Sequence, residues 1–252
     1  MISARSFNSL ESNSSEFTEL CRKFDILWIT TTPGNQIQAL QKLKNTQKKV
    51  ILEKPIATNV GEIAFVEELI LNAQCKIYLS QPWTYSNLWH EAKKILLSLI
   101  GEVLIQTERG GSLVRREFPP VIDWTPHDLY LLADYVAGIE KNYGDFNLVF
   151  KEKTTNHLLM TYKIGQDRTF EISAGFANEK KAQWRIYLEG RLMAEINFYT
   201  GELTDRRGLN AITNEVESKS PIISMLNFVS ENESTVDWKL IFKLYRDLVR
   251  TV

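Results

Sequence analysis

The strongest constraint on the fold is an alternation of apolar runs and amphipathic segments in the first third of the chain. Three short runs are mostly apolar: Phe24–Thr30, Lys49–Leu52 and Cys75–Leu79. Such runs are typical of strands that are covered on both faces. The segments between them, about 35–45 and 62–72, have the composition and spacing of helices. This strand–helix–strand–helix–strand order predicts a parallel sheet with right-handed crossovers.

From about Gln81 the pattern changes, and the later strands alternate apolar and polar residues. Arg168–Phe176 and Gln183–Glu189 both have a period of two, which is typical of antiparallel strands with one covered face. Further strands are predicted over 102–108, 146–153, 157–164 and 192–198, and helices over 88–99, from Thr125-Pro126, from Ser220-Pro221 and over 237–249. The predicted architecture is therefore α/β at first and α+β later, with domains 1–82 and 83–252.

Composition excludes several classes of partner. The formal net charge of −1 gives no basic surface for nucleic acid or for an anionic membrane. The sequence has no apolar run of bilayer length, and the segment up to Glu16 lacks the apolar core of a secretory signal. Cys21 and Cys75 have neither metal-binding nor disulfide spacing. These features predict a cytoplasmic protein with reduced thiols and no metal site.

A lysine follows the second predicted strand. Glu53-Lys54-Pro55 comes directly after Lys49–Leu52, and ligands of open α/β sheets bind outside the carboxyl ends of the strands. Lys54 is therefore a candidate donor to a substrate oxygen, and partial burial would lower its pKa enough to make it useful. The alternative is a solvated lysine that ends a strand.

An aspartate and a histidine form the second candidate constellation. Thr125-Pro126 predicts a helix start, with Thr as the N-cap and Pro in the first position. His127 then lies in the first turn, where the helix dipole disfavours its charged form, as suits a general base. Asp123 lies just before the helix and is placed to orient the imidazole or hold a substrate hydroxyl. The alternative for His127 is a polar residue satisfied at a helix start, and Asp128 fits a structural role there.

Taken in order, three segments resemble one family. Phe24–Pro33, Val50–Ala57 and the later Asp123-x-x-x-His127 are similar to the glucose–fructose oxidoreductase/inositol dehydrogenase/MocA (Gfo/Idh/MocA) family. Its members have an Ala-Thr-Pro-like turn after a strand, Glu-Lys-Pro after the next strand, and a later Asp-x-x-x-His. The resemblance extends from about Leu10 to the C-terminal helix. It implies an incomplete Rossmann-type parallel sheet followed by an α+β domain with a large, mainly antiparallel open sheet.

The resemblance also implies a reaction, which is hydride transfer between a carbon-bound hydroxyl and NAD or NADP. The substrate would be a small molecule, namely a sugar, nucleotide sugar or cyclitol, and the protein a homo-oligomer through the open sheet. His127 would remove the hydroxyl proton, Lys54 would hydrogen-bond the same oxygen, and Asp123 would fix the substrate. The expected cofactor-binding residues are Thr31, Thr32, Pro33, Gln36, Glu53 and Lys54. The family often has a histidine at the position of Gln36.

The sequence departs from the family at its front. Members have a Gly-x-Gly-x-x-Gly-like turn that binds the pyrophosphate, whereas residues 1–23 contain no glycine. The edge of the Phe24–Thr30 strand then needs cover. Three arrangements stay open: residues 1–23 pair with this edge, another chain covers it, or the natural polypeptide is longer. Arg5 is either a 2′-phosphate contact or a surface residue.

This departure leaves two rival functions beside the dehydrogenase. One is a cofactor-free relative that binds a sugar-like ligand or a partner protein. The other is the shortened product of a longer dehydrogenase. Two further groups of residues have two interpretations each. Trp83 and Tyr85 either stack on a sugar ring or pack in a core, and Arg109, Arg115 and Arg116 either contact an anionic substrate or form a solvated charged loop.

Overall fold

The structure, a computed structural model, describes residues 19, 21–112, 119–139, 146–154, 156–208, 211–215, 220–232 and 236–250. These residues form two compact units. The first contains the described residues up to Gln81 together with Leu226–Arg250, and the second contains those of Pro82–Met225.

The first unit is built on a parallel three-stranded sheet. Its strands β1 (Ile26–Ile29), β2 (Lys49–Leu52) and β3 (Lys76–Leu79) lie in the order β1-β2-β3. Helix α1 (Pro33–Leu43) connects the first two strands and α2 (Val60–Leu71) connects the next two. Strands β2 and β3 are buried at three of four positions each, which agrees with their apolar runs.

The second unit contains an eight-stranded sheet. Its strands are β4 (Val103–Gly111), β5 (Phe146–Lys153), β6 (His157–Ile164), β7 (Arg168–Phe176), β8 (Lys181–Leu188), β9 (Arg191–Asn197), β10 (Glu202–Asp205) and β11 (Ile212–Glu215). Their spatial order is β11-β10-β9-β8-β4-β7-β6-β5. Only β4 and β7 pair in parallel, and every other neighbouring pair is antiparallel. The predicted fold class, a Rossmann-type parallel sheet followed by a large and mainly antiparallel sheet, is confirmed.

Helices complete both units. In the second unit, α3 (Asn87–Ser98) contacts β9 and β10, and α4 (Pro120–Ile139) contacts β4, β6 and β7. The chain returns to the first unit within α5 (Pro221–Glu231), and α6 (Trp238–Val249) packs there against α2. None of the helices in the described part of the chain combines the length and the apolar composition that a bilayer crossing requires.

Helix α4 begins earlier than the sequence pattern predicts. The predicted start was Thr125-Pro126, but the helix begins at Pro120, and the Ile122 amide donates to the Pro119 carbonyl at 2.9 Å. Proline fits the first helical position because no backbone donor is needed there. Thr125 and Pro126 lie inside the helix and are buried. Packing of this buried face offsets the cost of an interior proline, which is about 3 kcal/mol.

Candidate active site

One carboxylate joins the carboxyl ends of the three parallel strands. Glu53 follows β2, and its Oε1 accepts a hydrogen bond from Trp28 Nε1 of β1 at 3.0 Å. The same oxygen accepts a second hydrogen bond from Ser80 Oγ, directly after β3, at 2.7 Å. Ser80 is buried, while Trp28 and Glu53 are half-buried. Hydrogen bonds to a carboxylate are of the stronger, charge-assisted kind.

The next residues form a turn that is held from the other side. The Lys54–Pro55 peptide bond is cis, and Lys54 is half-buried. Gln36 Nε2 of α1 donates to the Pro55 carbonyl at 3.4 Å, and the Ile56 amide donates to Tyr245 Oη of α6 at 3.3 Å. Side chains therefore contact this turn on both sides of Lys54.

The turn that precedes α1 leaves room at the same edge of the sheet. Thr32 is extended, and its side chain does not cap the helix that begins at Pro33. A Cβ on Gly34 would meet no atom within 4 Å. Thr31 and Thr32 are half-buried and Pro33 is buried. A helix N-terminus carries a partial positive charge, so an uncapped first turn with open space beside it fits a polar part of a dinucleotide.

Gln36, the fourth cofactor residue predicted from this turn, lies deeper. Its side chain is only 3% exposed, and its Oε1 has no hydrogen-bond partner among the described residues. The amide is therefore placed under the Lys54–Pro55 turn. Because the position lies four residues into a helix that directly follows the turn, sequence alone does not distinguish this orientation from a ligand contact.

Asp123 and His127 lie on one face of α4 in the second unit. They are four positions apart, so they are neighbours on the helix surface, and both are half-buried. Because α4 begins at Pro120, Asp123 lies in the first turn rather than before the helix. His127 lies one turn further in, not in the first turn as predicted. The helix dipole therefore acts less strongly on His127 than predicted, since its effect is confined mainly to the terminal turn.

Asp128 forms a buried ion pair that the sequence pattern did not indicate. Arg109 Nε and Nη2 donate to the two carboxylate oxygens of Asp128, both at 2.9 Å, and Trp184 Nε1 donates to Oδ1 at 2.8 Å. The side chains of Arg109 and Asp128 are only 4% and 1% exposed. The prediction that Arg109 lies in a solvated loop is wrong, because β4 extends through Gly111 and directs Arg109 to its covered face.

Two glycines allow close packing at the end of β4. A Cβ on Gly111 would lie 2.8 Å from Cζ2 of Trp124, the residue after Asp123. A Cβ on Gly110 would lie 2.6 Å from the carbonyl oxygen of Gly175 on β7. The first contact fixes the distance between the end of β4 and the first turns of α4, and thereby helps to position Asp123.

The remaining candidates have weaker support. Trp83 packs edge-on against Phe198, with ring centroids 5.4 Å apart, as the packing interpretation predicts. Tyr85 is half-buried in the same 3₁₀ turn, Pro82–Tyr85. Arg5, Arg115 and Arg116 lie outside the described residues. Within the described part of the chain, no group of three or more His, Cys, Asp or Glu side chains is arranged to hold a metal ion.

The parallel sheet with polar side chains at its carboxyl ends, in a chain that also has a large mixed sheet, defines a two-part α/β protein of the Rossmann type. Residues 3–80 match the family model described as oxidoreductase family, NAD-binding Rossmann fold. The resemblance of this segment to the Gfo/Idh/MocA family is thereby confirmed. No curated protein matches the chain.

Solved structures of several oxidoreductases share the fold. UDP-N-acetylglucosamine 3-dehydrogenase GnnA from Acidithiobacillus ferrooxidans has a TM-score of 0.74 at 11% identity, covering 98% of this chain and 81% of its own. Aldose-aldose oxidoreductase from Caulobacter crescentus, complexed with glycerol, has a TM-score of 0.73 at 14% identity, covering 94% of this chain and 80% of its own. KijD10, a 3-ketoreductase from Actinomadura kijaniata in complex with NADP, has a TM-score of 0.69 at 11% identity, covering 93% of this chain and 80% of its own. At these identities the similarity concerns the fold.

Proposed function

We propose that this protein is a nicotinamide-dependent oxidoreductase that acts on a hydroxyl group of a sugar, nucleotide sugar or cyclitol. The observation that carries the proposal is the Glu53-Lys54-Pro55 turn. It lies at the carboxyl ends of a parallel sheet, where ligands of such sheets bind, in a segment that matches an NAD-binding oxidoreductase family. The sugar-type dehydrogenases with the same fold support the substrate class.

Each proposed site residue has a role that its chemistry permits. Lys54 donates a hydrogen bond to the reacting oxygen and stabilises the negative charge that develops there. His127 takes the hydroxyl proton as general base. Asp123, one turn earlier on the same helix face, holds the substrate or orients the imidazole.

The cofactor side of the proposed site consists of the α1 turn and the strand ends. Thr31, Thr32 and Pro33 border the open first turn of α1, and Glu53 and Lys54 end β2. Gln36 contributes from beneath, through its contact with Pro55. When bound, NAD or NADP supplies the hydride acceptor or donor.

The second candidate function is that of a cofactor-free relative. Residues 1–23 contain no glycine, so a Gly-x-Gly-x-x-Gly-like turn is not found among them. In this candidate, the protein binds a sugar-like ligand or a partner protein without a nicotinamide cofactor. A nicotinamide titration distinguishes the two functions.

The first experiment is a titration of the purified protein with NADH and with NADPH. Trp28, which contacts Glu53, reports binding through energy transfer from tryptophan to the reduced nicotinamide. Saturation in the micromolar range supports the dehydrogenase. The absence of binding up to millimolar cofactor contradicts it and favours the cofactor-free function.

Turnover of sugars, nucleotide sugars and cyclitols is then measured in variants of the proposed site. We expect Lys54→Ala and His127→Ala to lower kcat by a factor of roughly 100 or more, the range for removal of an electrostatic or acid–base group. Lys239→Ala and His90→Ala change exposed residues of the same types and serve as controls. Full activity of both site variants would contradict the assigned roles.

Two further properties belong to this proposal. A homo-oligomer would form through the uncovered face of the eight-stranded sheet, as the family resemblance implies. A cytoplasmic location remains the prediction from the cysteines, which are free in the structure.

A further inference from the structure

Lys54 lies in a turn in which other side chains form hydrogen bonds to the residues before and after it. We infer that Trp28, Ser80 and Gln36 are positioning residues, which act through Glu53 and Pro55 to hold the Lys54 ammonium at the reacting oxygen. The inference deepens the proposed function and rests on it, because it assumes that Lys54 contacts the substrate.

The residue before Lys54 is held by two hydrogen bonds to one carboxylate oxygen of Glu53. Trp28 lies on β1 and Ser80 directly follows β3, so these hydrogen bonds, at 3.0 and 2.7 Å, reach the carboxylate from opposite sides of β2. A side chain held in this way has little rotational freedom. Since Glu53 directly precedes Lys54, the direction in which the backbone leaves β2 is restricted as well.

Two further hydrogen bonds hold the residues that follow Lys54. The buried amide of Gln36 donates to the Pro55 carbonyl, and Tyr245 Oη accepts from the Ile56 amide. Gln36 belongs to the helix after β1 and Tyr245 to α6, so these contacts come from two elements that take no part in the Glu53 cluster. The backbone of Lys54 is therefore restrained independently on its two sides.

The sheet itself does not depend on these side chains. The Ser80 amide donates to the Leu52 carbonyl at 2.7 Å, and the Glu53 amide donates to the Ile29 carbonyl at 3.3 Å. These backbone bonds stay when a side-chain hydroxyl or indole is removed. What is lost is the restraint on Glu53, so the expected consequence is a displaced Lys54 in a folded protein. Displacements of about 1 Å cost roughly 100-fold in rate when they affect a reacting group.

Ser80→Ala is the decisive variant, with Ser80→Thr as the conservative change that keeps the hydroxyl. Tyr78→Phe is the matched control, because it removes a hydroxyl from β3 that donates to the Asn232 carbonyl, away from the turn. We expect Ser80→Ala to lower kcat by a factor of roughly 10 to 100 with KM changed less than about twofold. Ser80→Thr and Tyr78→Phe should stay within about twofold of the unchanged protein in both constants.

A second measurement does not require turnover. The rate at which acetic anhydride acetylates Lys54 is followed from pH 7 to 11 by peptide mass spectrometry, with Lys239 as an internal reference. A loosened turn should change the Lys54 rate at least about threefold in Ser80→Ala, and not in Tyr78→Phe. Trp28→Phe, which removes the other donor to Glu53, provides the same test if Ser80→Ala does not fold.

The outcomes separate the inference from the proposed function. If kcat and Lys54 labelling are both unchanged in Ser80→Ala and Trp28→Phe, the inference is overturned while the function stands. It is also overturned if Tyr78→Phe lowers kcat as much as Ser80→Ala, since the loss is then one of general stability. If the unchanged protein has no turnover, the function fails, and the labelling alone decides whether these residues position Lys54.

Discussion

Asp128 shows how strongly a single residue depends on its partners in this protein. It accepts three hydrogen bonds from Arg109 and Trp184 and is nearly inaccessible to solvent. Removing one partner of such a pair leaves an uncompensated buried charge. We therefore expect Asp128→Ala to lower the free energy of unfolding by about 3 to 5 kcal/mol, measured by urea denaturation with circular dichroism.

An exposed ion pair of the same unit is the control for this prediction. Lys94 Nζ lies 2.6 Å from Glu91 Oε1 on helix α3, and the Lys94 side chain is 71% exposed. Exposed pairs at this helical spacing contribute about 0.5 kcal/mol or less. Glu91→Ala should therefore be close to neutral. If Asp128→Ala and Glu91→Ala lowered the free energy of unfolding equally, burial would not be the cause of the larger effect that we expect for Asp128.

The ionisation of Tyr135 makes the free energy of unfolding depend on pH in the alkaline range. Burial raises the pKa of Tyr135 to about 12, although the nearby Arg168 guanidinium, which donates to its hydroxyl at 3.0 Å, acts in the opposite direction. In the unfolded chain the phenol ionises near pH 10. Its contribution is therefore complete below about pH 10 and is lost as the pH rises to about 12.

This dependence is measured as the difference in unfolding free energy between the unchanged protein and Tyr135→Phe. Between pH 9 and 11.5 the unfolding free energy of the unchanged protein should fall by roughly 2 kcal/mol relative to that of Tyr135→Phe, because only the unchanged protein has to ionise a buried phenol. Tyr199→Phe, at a position that is 66% exposed, controls for the substitution. A difference that is constant with pH would refute the assignment.

Residue types and spacing predict some of the site residues but not their partners. Lys54, Asp123 and His127 stand in motifs that a single sequence displays. The partners Trp28 and Ser80 look like the ends of apolar runs, and only the strand order β1-β2-β3 brings both to Glu53. Such contacts between residues 25 and 27 positions apart depend on register, which periodicity does not determine.

Elements follow the sequence closely where one signal dominates. Strand β6 buries alternate residues as the period of two predicts, and β7 does so up to Ala174. At the end of β7 the prediction is wrong, because Gly175 is buried and Phe176 is exposed. Helix α4 shows the opposite case, since Thr125-Pro126 has the chemistry of a helix start yet lies within the helix. There, tertiary packing of a long apolar face overrides a local preference. The four-residue strands β10 and β11 are too short to show a period and were not predicted.

The packing between β4 and α4 can be tested at Gly111. An alanine there would place its Cβ 2.8 Å from the Trp124 indole, a rigid neighbour that cannot rotate away cheaply. We expect Gly111→Ala to lower the free energy of unfolding by about 1 to 3 kcal/mol, as overpacking does. Thermal unfolding followed by circular dichroism measures the change.

Helix α4 itself provides the control for this substitution. A Cβ on Gly138 would lie 2.9 Å from Cε of Lys93, whose ammonium contacts Asp134 but whose four-carbon chain moves more easily than an indole. Alanine is favoured over glycine within a helix by about 1 kcal/mol, so Gly138→Ala should be neutral or stabilising. A Gly111→Ala protein as stable as Gly138→Ala would show that Trp124 moves freely.

At the scale of the whole molecule, the order of elements is predictable but the return of the chain is not. The change from continuous to alternating apolar patterns near residue 81 predicts two kinds of sheet, and both are present. Residues 226–250 nevertheless lie in the first unit, where Lys49 Nζ donates to the carbonyl oxygens of Val229 and Ser230 at the end of α5. A contact between residues about 180 positions apart has no local signal in the sequence.

The eight-stranded sheet has one face that helices do not cover within the described residues. We define this open face by the half-buried residues at its centre, which are Gln106, Glu108, Leu159, Glu171, Ser173, Gln183 and Arg185. Charges of both signs are paired on it, as between Lys181 and Glu108 at 2.6 Å and between Arg206 and Glu195 at 2.5 Å. A polar face with internally matched charges can be buried against an identical face without leaving a charge unpaired.

The proposed homo-oligomer can therefore be tested by one added charge on the open face. Leu159 is the apolar residue among those that define it, and in an interface formed by this face an arginine there would bury one unpaired charge from each copy. We expect light scattering after size exclusion to give at least a dimer for the unchanged protein and a monomer for Leu159→Arg. Leu71→Arg, at a position of helix α2 in the first unit that is 70% exposed, is the control and should leave the mass unchanged. A monomer for the unchanged protein would refute the oligomer, and an equal drop of mass in Leu71→Arg would show that the loss is not specific to the open face.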